Sequence, residues 1–194
     1  MPGPFRTAAV LLLALAAAAC APTRPPPPLA DIDVTRFRPV ALDVASVTFD
    51  NRYVSSLASP FVEHFAPTTP VNAVRQWAEQ RLRATGTRGT ARVIVTDGRI
   101  TEQSLPRTQG ITGIVSRDQT ERYDGRIEIT IEAERDGASG TFSAAVERSR
   151  TIAEGATLGD REALLNALVR QLVDDLDARA EESFRGPLGA FVRR

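Results

Sequence analysis

Alternating apolar and polar residues predict a β-hairpin in the second half of the chain. In RYDGRIEITIEAERDG (residues 122–137), Ile127, Ile129 and Ile131 point one way and the polar residues between them point the other. This period of two is typical of an antiparallel strand with one face in water. The DGASG segment (136–140) predicts a turn, after which TFSAAVERSRTI (141–152) returns as the partner strand.

Two earlier stretches also have the composition of strands. RPVALDVASVTFD (38–50) alternates with a period of two and changes phase near residues 45–46, which predicts one strand with a bulge. TARVIVTDGRITEQSL (90–105) predicts a strand and a turn at Asp97 and Gly98. After that turn, the pattern fits either a second strand or a continuation of the first.

Apolar residues at helical spacing predict two amphipathic helices. The first has Thr69 as its N-cap and Pro70 at its first position, and Gly86 marks its end. The second is capped by Asp160 and continues to the Gly-Pro pair at 186–187.

The two helices carry opposite charges. Arginines cover the predicted outer face of the first helix, namely Arg75, Arg81 and Arg83. Residues 160–184 contain seven acidic residues and three arginines. Opposite charges favour a side-by-side placement of the helices, although each exposed pair contributes only about 0 to 1 kcal/mol.

The order of these elements, β-α-β-β-β-α, predicts an α+β fold. We expect an antiparallel sheet of about four strands with both helices packed on one face. The chain has 194 residues, which fits a single such domain, and we assign this domain to residues 36–194.

Two connecting segments carry many apolar side chains. One occupies residues 53–66, where prolines break regular structure, and the other occupies residues 106–122, where Pro106 and two glycines do the same. Such segments either pack as flaps or form a contact surface for a partner protein or lipid. The candidate contact residues are Tyr53, Leu57, Phe61, Phe65, Ile111, Ile114 and Val115.

The first nineteen residues have the pattern of an export signal. Arg6 provides a positive charge, residues 8–19 are twelve apolar residues in a row, and three alanines precede Cys20. A membrane-spanning helix needs about 20 apolar residues, so this run is too short to be one. We therefore assign residues 1–19 to a signal peptide.

The context of Cys20, the only cysteine, resembles the acylation site of bacterial lipoproteins. Their motif is Leu-(Ala/Ser/Thr)-(Gly/Ala)-Cys, and Ala17 stands here in place of the leucine. The resemblance implies that Cys20 begins the mature chain and carries a covalent diacylglycerol and an acyl chain, which anchor it to membrane lipid. The alternative is cleavage after Ala19 with a free thiol at Cys20. We expect no other cofactor and no metal.

Residues 20–35 are the predicted tether between this anchor and the domain. Four consecutive prolines favour polyproline II, so ten such residues extend about 30 Å at about 3.1 Å each. Ala21 follows the cysteine where an aspartate would direct retention at the inner membrane in the enterobacterial sorting scheme. We expect a lipid-anchored cell-envelope protein with its domain in the periplasm, and the outer membrane is favoured over the inner.

The net charge of the chain and the motifs that its sequence lacks argue against several classes of function. The 24 basic and 24 acidic residues balance, so no overall charge draws the protein to nucleic acid. The only histidine, His64, has no second histidine or free cysteine near it in the sequence with which to build a metal site. The sequence also lacks a nucleophile elbow, a phosphate-binding loop and a dinucleotide fingerprint. We expect a protein without catalytic activity.

The order of elements, with RYDGRIEITIE (122–132) and the helix from Thr69, resembles the auxiliary lipoproteins of ABC-type transport systems. The paraquat-inducible lipid-transport lipoprotein is one example of that class. The chain is also similar to an alphaproteobacterial lipoprotein family of unknown function. The resemblance implies a non-catalytic accessory or adaptor that docks on an envelope protein complex for lipid transport or assembly. Two alternatives stay open, a lipid-binding carrier with a pocket between helix and sheet, and an envelope hydrolase.

Overall fold

A computed structural model describes residues 32–106 and 119–193. Cys20 lies outside these residues, as do the candidate contact residues Ile111, Ile114 and Val115. The elements in chain order are β1 (Val40–Leu42), β2 (Ser46–Asn51), α1 (Pro70–Arg81), β3 (Leu82–Ala84), β4 (Thr90–Asp97), β5 (Ile100–Ser104), β6 (Gln119–Arg135), β7 (Ala138–Ala153) and α2 (Leu158–Ser183). Short 3-10 helices occur at Glu63–Phe65 and Gly189–Phe191.

β6 and β7 form the hairpin that the alternating pattern predicts. Ile127 lies opposite Val146 and Ile129 lies opposite Ala144. The hairpin turn is tight because Asp136 (φ 53°) and Gly137 (φ 82°) both adopt left-handed backbone conformations, as two-residue hairpin turns require.

One edge of β6 pairs with two strands. β4 pairs with residues 128–134 of β6 and β5 pairs with residues 121–125, both in antiparallel fashion. Because β4 and β5 follow each other along the same edge, the segment at Asp97 and Gly98 interrupts a continuing strand. The strand-continuation alternative is therefore correct, and no hairpin forms there.

The sheet is mixed, which corrects the expectation of a purely antiparallel one. β2 and β4 pair in parallel, with Ser46 opposite Thr90 and Asn51 opposite Val95. The cause is the connection between them, because a crossover that contains a helix, here α1, returns the chain in its original direction. The order across the sheet is β2, β4, β6 and β7, with β5 beside β6 as the extension of β4.

The first predicted strand is two strands in different sheets. β1 pairs in parallel with β3, with Val40 opposite Leu82, whereas β2 belongs to the main sheet. The phase change near residues 45–46 is thus a change of sheet and not a bulge. For the same reason α1 ends at Arg81, five residues before Gly86, since Leu82 is already buried in β3.

Both helices pack on the apolar face of β6. Gly125 allows α2 to approach this strand closely, since a Cβ atom there would lie 2.8 Å from Leu172 Cδ1. The layer between helices and sheet is filled with side chains that have no more than 1% exposure, including Trp77, Ile127, Ile129, Ile131, Leu168 and Leu176. Ile32, the first residue that the structure describes, is also buried in this core.

A buried arginine joins the two helices. Arg81 Nε donates to Asp177 Oδ1 at 2.8 Å and Arg81 Nη2 donates to Glu181, while Trp77 Nε1 donates to the same Asp177 oxygen at 2.9 Å. The expected pairing of a basic and an acidic helix is present. The expected outer-face position of Arg81 is wrong, because this residue follows the buried Trp77 by four residues and so lies on the same side of α1.

α2 begins with a capping box. Thr157 Oγ1 accepts a hydrogen bond from Asp160 N at 3.2 Å, and the Asp160 carboxylate accepts one from Thr157 N at 2.8 Å. The N-cap is therefore Thr157 and not Asp160, which occupies the third helical position. The helix ends at Ser183, before the Gly-Pro pair that was expected to end it.

Candidate functional site

The first apolar segment runs along the edge of β5. Arg52 N donates to Val95 O of β4 at 2.9 Å as the chain leaves β2, and Val62 N donates to Ile100 O at 2.8 Å. Between these points Phe61 forms an isolated bridge with Thr101. Residues 52–66, which we call the apolar loop, thus take the place beside β5 that β2 takes beside β4.

A buried carboxylate holds the apolar loop in shape. Glu63 is 3% exposed and accepts hydrogen bonds from the Tyr53 hydroxyl at 2.8 Å, from the Ser55 hydroxyl and from Ile100 N at 3.3 Å. Both ends of the loop and strand β5 therefore meet at one side chain.

The hydrogen bonds determine the charge state of this carboxylate. Burial alone would raise the pKa of Glu63, but the bonds from Ser55, from its own backbone, from Tyr53 and from Ile100 outweigh burial and hold the pKa below its ordinary value of 4.5. Burial, and after it the bond to Glu63, raises the pKa of Tyr53. The pair is therefore an anionic acceptor with a protonated donor at neutral pH.

The four predicted contact residues in the apolar loop differ in exposure. Leu57 and Phe65 are 67% and 64% exposed, whereas Tyr53 and Phe61 are half-buried against the sheet. The Phe65 ring packs against His64, with ring centroids 4.0 Å apart. Leu57 has a left-handed backbone (φ 54°), a conformation that favours glycine or asparagine over leucine.

Sequence reasoning missed two exposed apolar residues. Val54 in the apolar loop is 86% exposed, and Leu158 in the first turn of α2 is 73% exposed. Leu158 lies seven residues before the buried Leu165, a spacing that predicts burial. Val54 follows β2 in a segment without periodicity, so no sequence signal marks either residue.

A shallow depression of about 370 Å³ lies beside the apolar loop. Its lining includes Tyr53, Val54, Phe61, Asp97, Arg99 and Thr101. The charged members are paired, since Arg99 binds Asp97, and Asp97 also forms an ion pair with Arg126, whose Nε lies 3.2 Å from its Oδ2. Apolar contact is therefore the main interaction that this surface offers, beside the hydroxyls of Ser56, Thr96 and Thr101.

The described part of the chain shows little else that carries chemistry. Within residues 32–106 and 119–193, no three histidine, cysteine, aspartate or glutamate side chains are arranged to hold a metal ion. His64 is exposed and contacts the Phe65 ring. Among the helices in these ranges, none is both long and apolar enough to cross a membrane.

No protein-family model and no curated protein matches the chain. Among solved structures, rare lipoprotein B from Shewanella oneidensis is similar at 11% identity and a TM-score of 0.35, over 72% of this chain and 96% of that one. A minor lipoprotein from Acinetobacter baumannii is similar at 13% identity and a TM-score of 0.37, over 79% and 98%. A Xanthomonas campestris protein of family DUF330 is similar at 10% identity and a TM-score of 0.33, over 77% and 92%. Two of these three similar structures are named as bacterial lipoproteins.

Proposed function

We propose that this protein is a lipid-anchored bacterial envelope lipoprotein that acts without catalysis, as an accessory or adaptor in an envelope machine for lipid transport or assembly. The observation that carries the proposal is the charged start, the twelve apolar residues and the three alanines directly before Cys20. Acylation of Cys20 supplies more than one buried acyl chain, which converts marginal membrane binding into stable anchoring. The domain then stands in the periplasm, and the outer membrane is the favoured location.

The organisation of the domain supports a contact role. The hydrogen bonds to Glu63 hold the base of the apolar loop against the sheet. The loop exposes Val54, Leu57 and Phe65 to solvent. Exposed apolar groups with polar neighbours are typical of interaction surfaces. In the part of the chain that the structure describes, a protein partner has two other surfaces to contact, the polar face of the sheet and the outer edge of β7.

The lipid-carrier alternative places its cargo between helices and sheet. In that layer Trp77, Ile129 and Leu168 have no exposed surface and belong to one packed core. This packing supports the adaptor over the carrier.

Replacement of the acylated residue tests the anchor. We expect Cys20→Ser to abolish incorporation of a labelled fatty acid and to move the protein from the membrane to the soluble fraction, with an unchanged circular dichroism spectrum. Ala21→Ser is the matched control and should keep the label and the membrane location. A Cys20→Ser protein that stays in the membrane with an unchanged mass contradicts the proposal.

Purification of the full-length protein from detergent-solubilised membranes tests the adaptor role. A protein that co-purifies in fixed stoichiometry supports the adaptor, whereas co-purified lipid without a protein supports the carrier. A hydrolytic activity of the purified protein that disappears in His64→Ala contradicts the non-catalytic role.

A further inference from the structure

The exposed large apolar side chains of the described residues gather beside one half of the sheet. They are Val54, Leu57, Phe65 and Leu158. The apolar loop that carries three of them bridges through Phe61 to Thr101, which pairs with Asp124 near the start of β6.

Leu158 belongs to the same half. It precedes Arg161 by three residues, and Arg161 Nη2 donates to Glu121 Oε1 of β6 at 2.8 Å. Apolar side chains scattered singly over a surface are ordinary, whereas a group in one region indicates a contact.

The opposite end of β6 is charged. At the β6–β7 turn Asp136 binds Arg88 at 3.0 Å, and the nearby Asp43 binds Arg193 at 3.0 Å and also Arg135. Asp124 and Arg135 are eleven positions apart along β6, which corresponds to about 36 Å of strand. The large apolar side chains that are exposed among the described residues therefore lie in the half of the domain away from the β6–β7 turn, where ion pairs such as Arg161–Glu121 also occur.

The length of chain before the domain limits where the domain can go. Eleven residues lie between Cys20 and Ile32, so the chain from Cys20 to the core reaches at most about 43 Å. α2, with 26 residues, is itself about 39 Å long. A domain anchored at Cys20 thus stays within about its own length of the membrane, and lipid is present at a high effective concentration.

We propose that the apolar loop docks on the leaflet that holds the acyl chains of Cys20, with Val54, Leu57 and Phe65 at the boundary between headgroups and acyl chains. This inference rests on the proposed acylation of Cys20. The bonds to Glu63 fix the base of the loop in advance, which lowers the ordering cost of docking. The β6–β7 turn then points away from the membrane.

The single native cysteine makes a site-specific test possible. Acylation leaves Cys20 without a free thiol, so an introduced cysteine is the only residue that reacts with a thiol-specific fluorophore. Leu57→Cys and Phe65→Cys report on the apolar loop, and Ala138→Cys, exposed at the charged end, is the matched control. The full-length variants are produced in a bacterium that processes lipoproteins and are reconstituted into phosphatidylcholine vesicles with or without a brominated phospholipid.

We expect the brominated lipid to quench the fluorophore at positions 57 and 65 several-fold more than at Ala138→Cys. Equal quenching at all three positions overturns the inference. The fluorophores at positions 57 and 65 could instead report an apolar environment that the brominated lipid does not quench and that becomes stronger as the protein density increases. In that case a second copy of the protein covers the apolar loop, and the inference is overturned. If the wild-type protein reacts with the fluorophore and lacks lipid mass, the proposed function fails together with this inference. Failed quenching in an acylated protein overturns the inference alone.

Discussion

Removal of the Glu63 carboxylate should release the apolar loop from the sheet. In Glu63→Ala the Tyr53 hydroxyl, the Ser55 hydroxyl and Ile100 N lose their shared acceptor. Each hydrogen bond to a charged group contributes about 1.5 to 3 kcal/mol. Tyr53 and Ser55 are only half-buried and can turn to water, and the Ile100 bond is long at 3.3 Å. We therefore expect the free energy of unfolding to fall by about 3 kcal/mol, less than the three bonds would sum to.

Urea unfolding followed by circular dichroism measures this loss. The matched control is His64→Ala, an exposed neighbour in the same 3-10 helix, which should change stability by less than about 0.5 kcal/mol. A double-mutant cycle with Tyr53→Phe should give a coupling of about 1 to 2 kcal/mol. If Glu63→Ala is as stable as His64→Ala, the carboxylate does not hold the loop and the reasoning is refuted.

The pH dependence provides an independent check on the same side chain. Because the folded pKa of Glu63 lies below its ordinary value of 4.5, the folded protein binds this proton less tightly than the unfolded chain does. The stabilisation is complete above the unfolded-state pKa and is lost as the pH falls through the folded pKa. The stability advantage of the wild type over Glu63→Gln should therefore shrink as the pH falls below the ordinary value of 4.5. Parallel stability curves for the two proteins would contradict this assignment.

Two further substitutions test how the fold is held together. Arg81→Ala should lower the free energy of unfolding by about 3 kcal/mol because it leaves carboxylates in the helix interface without their guanidinium partner. Arg83→Ala, at an exposed position, should lower it by less than about 0.5 kcal/mol. Similar urea midpoints for the two variants would contradict the buried role of Arg81. Gly89→Ala should lower the melting temperature far more than Gly155→Ala. Both glycines have positive φ, 80° and 78°, but a Cβ at Gly89 would lie 2.3 Å from Glu134 O whereas none of the atoms around Gly155 comes within 4 Å. Equal shifts would show that backbone conformation alone, without the close contact, decides both costs.

The elements that local patterns predict well are those whose partners are close in sequence. The β6–β7 hairpin needs only the alternation around Ile129 and a turn at Asp136 and Gly137, so consecutive residues specify it. The split between β1 and β2 and the parallel pairing of β2 depend on where a crossover of about forty residues returns. The pattern of apolar residues within 38–50 cannot indicate which strand the chain pairs with after that crossover.

The candidate site divides in the same way. Composition is enough to mark Leu57 and Phe65 as candidate contact residues, since prolines keep their segment out of regular structure, and the structure leaves both side chains exposed. The role of Glu63 could not be predicted, because a glutamate in a loop is ordinarily exposed. Its burial depends on hydroxyls at Tyr53 and Ser55 and on Ile100 N, which only the folded chain brings together.

β7 ends the sheet, and in the part of the chain that the structure describes its outer edge pairs with no other strand. This sixteen-residue strand is long for an edge, and its unpaired backbone groups can serve as a template on which an identical strand adds. The proposed acylation of Cys20 would concentrate copies of the domain in two dimensions and so make encounters between them more frequent. Glu147, Arg148 and Arg150 lie on this edge strand, and their charges oppose an unmatched register. We expect these charges to limit edge-to-edge pairing between copies of the domain.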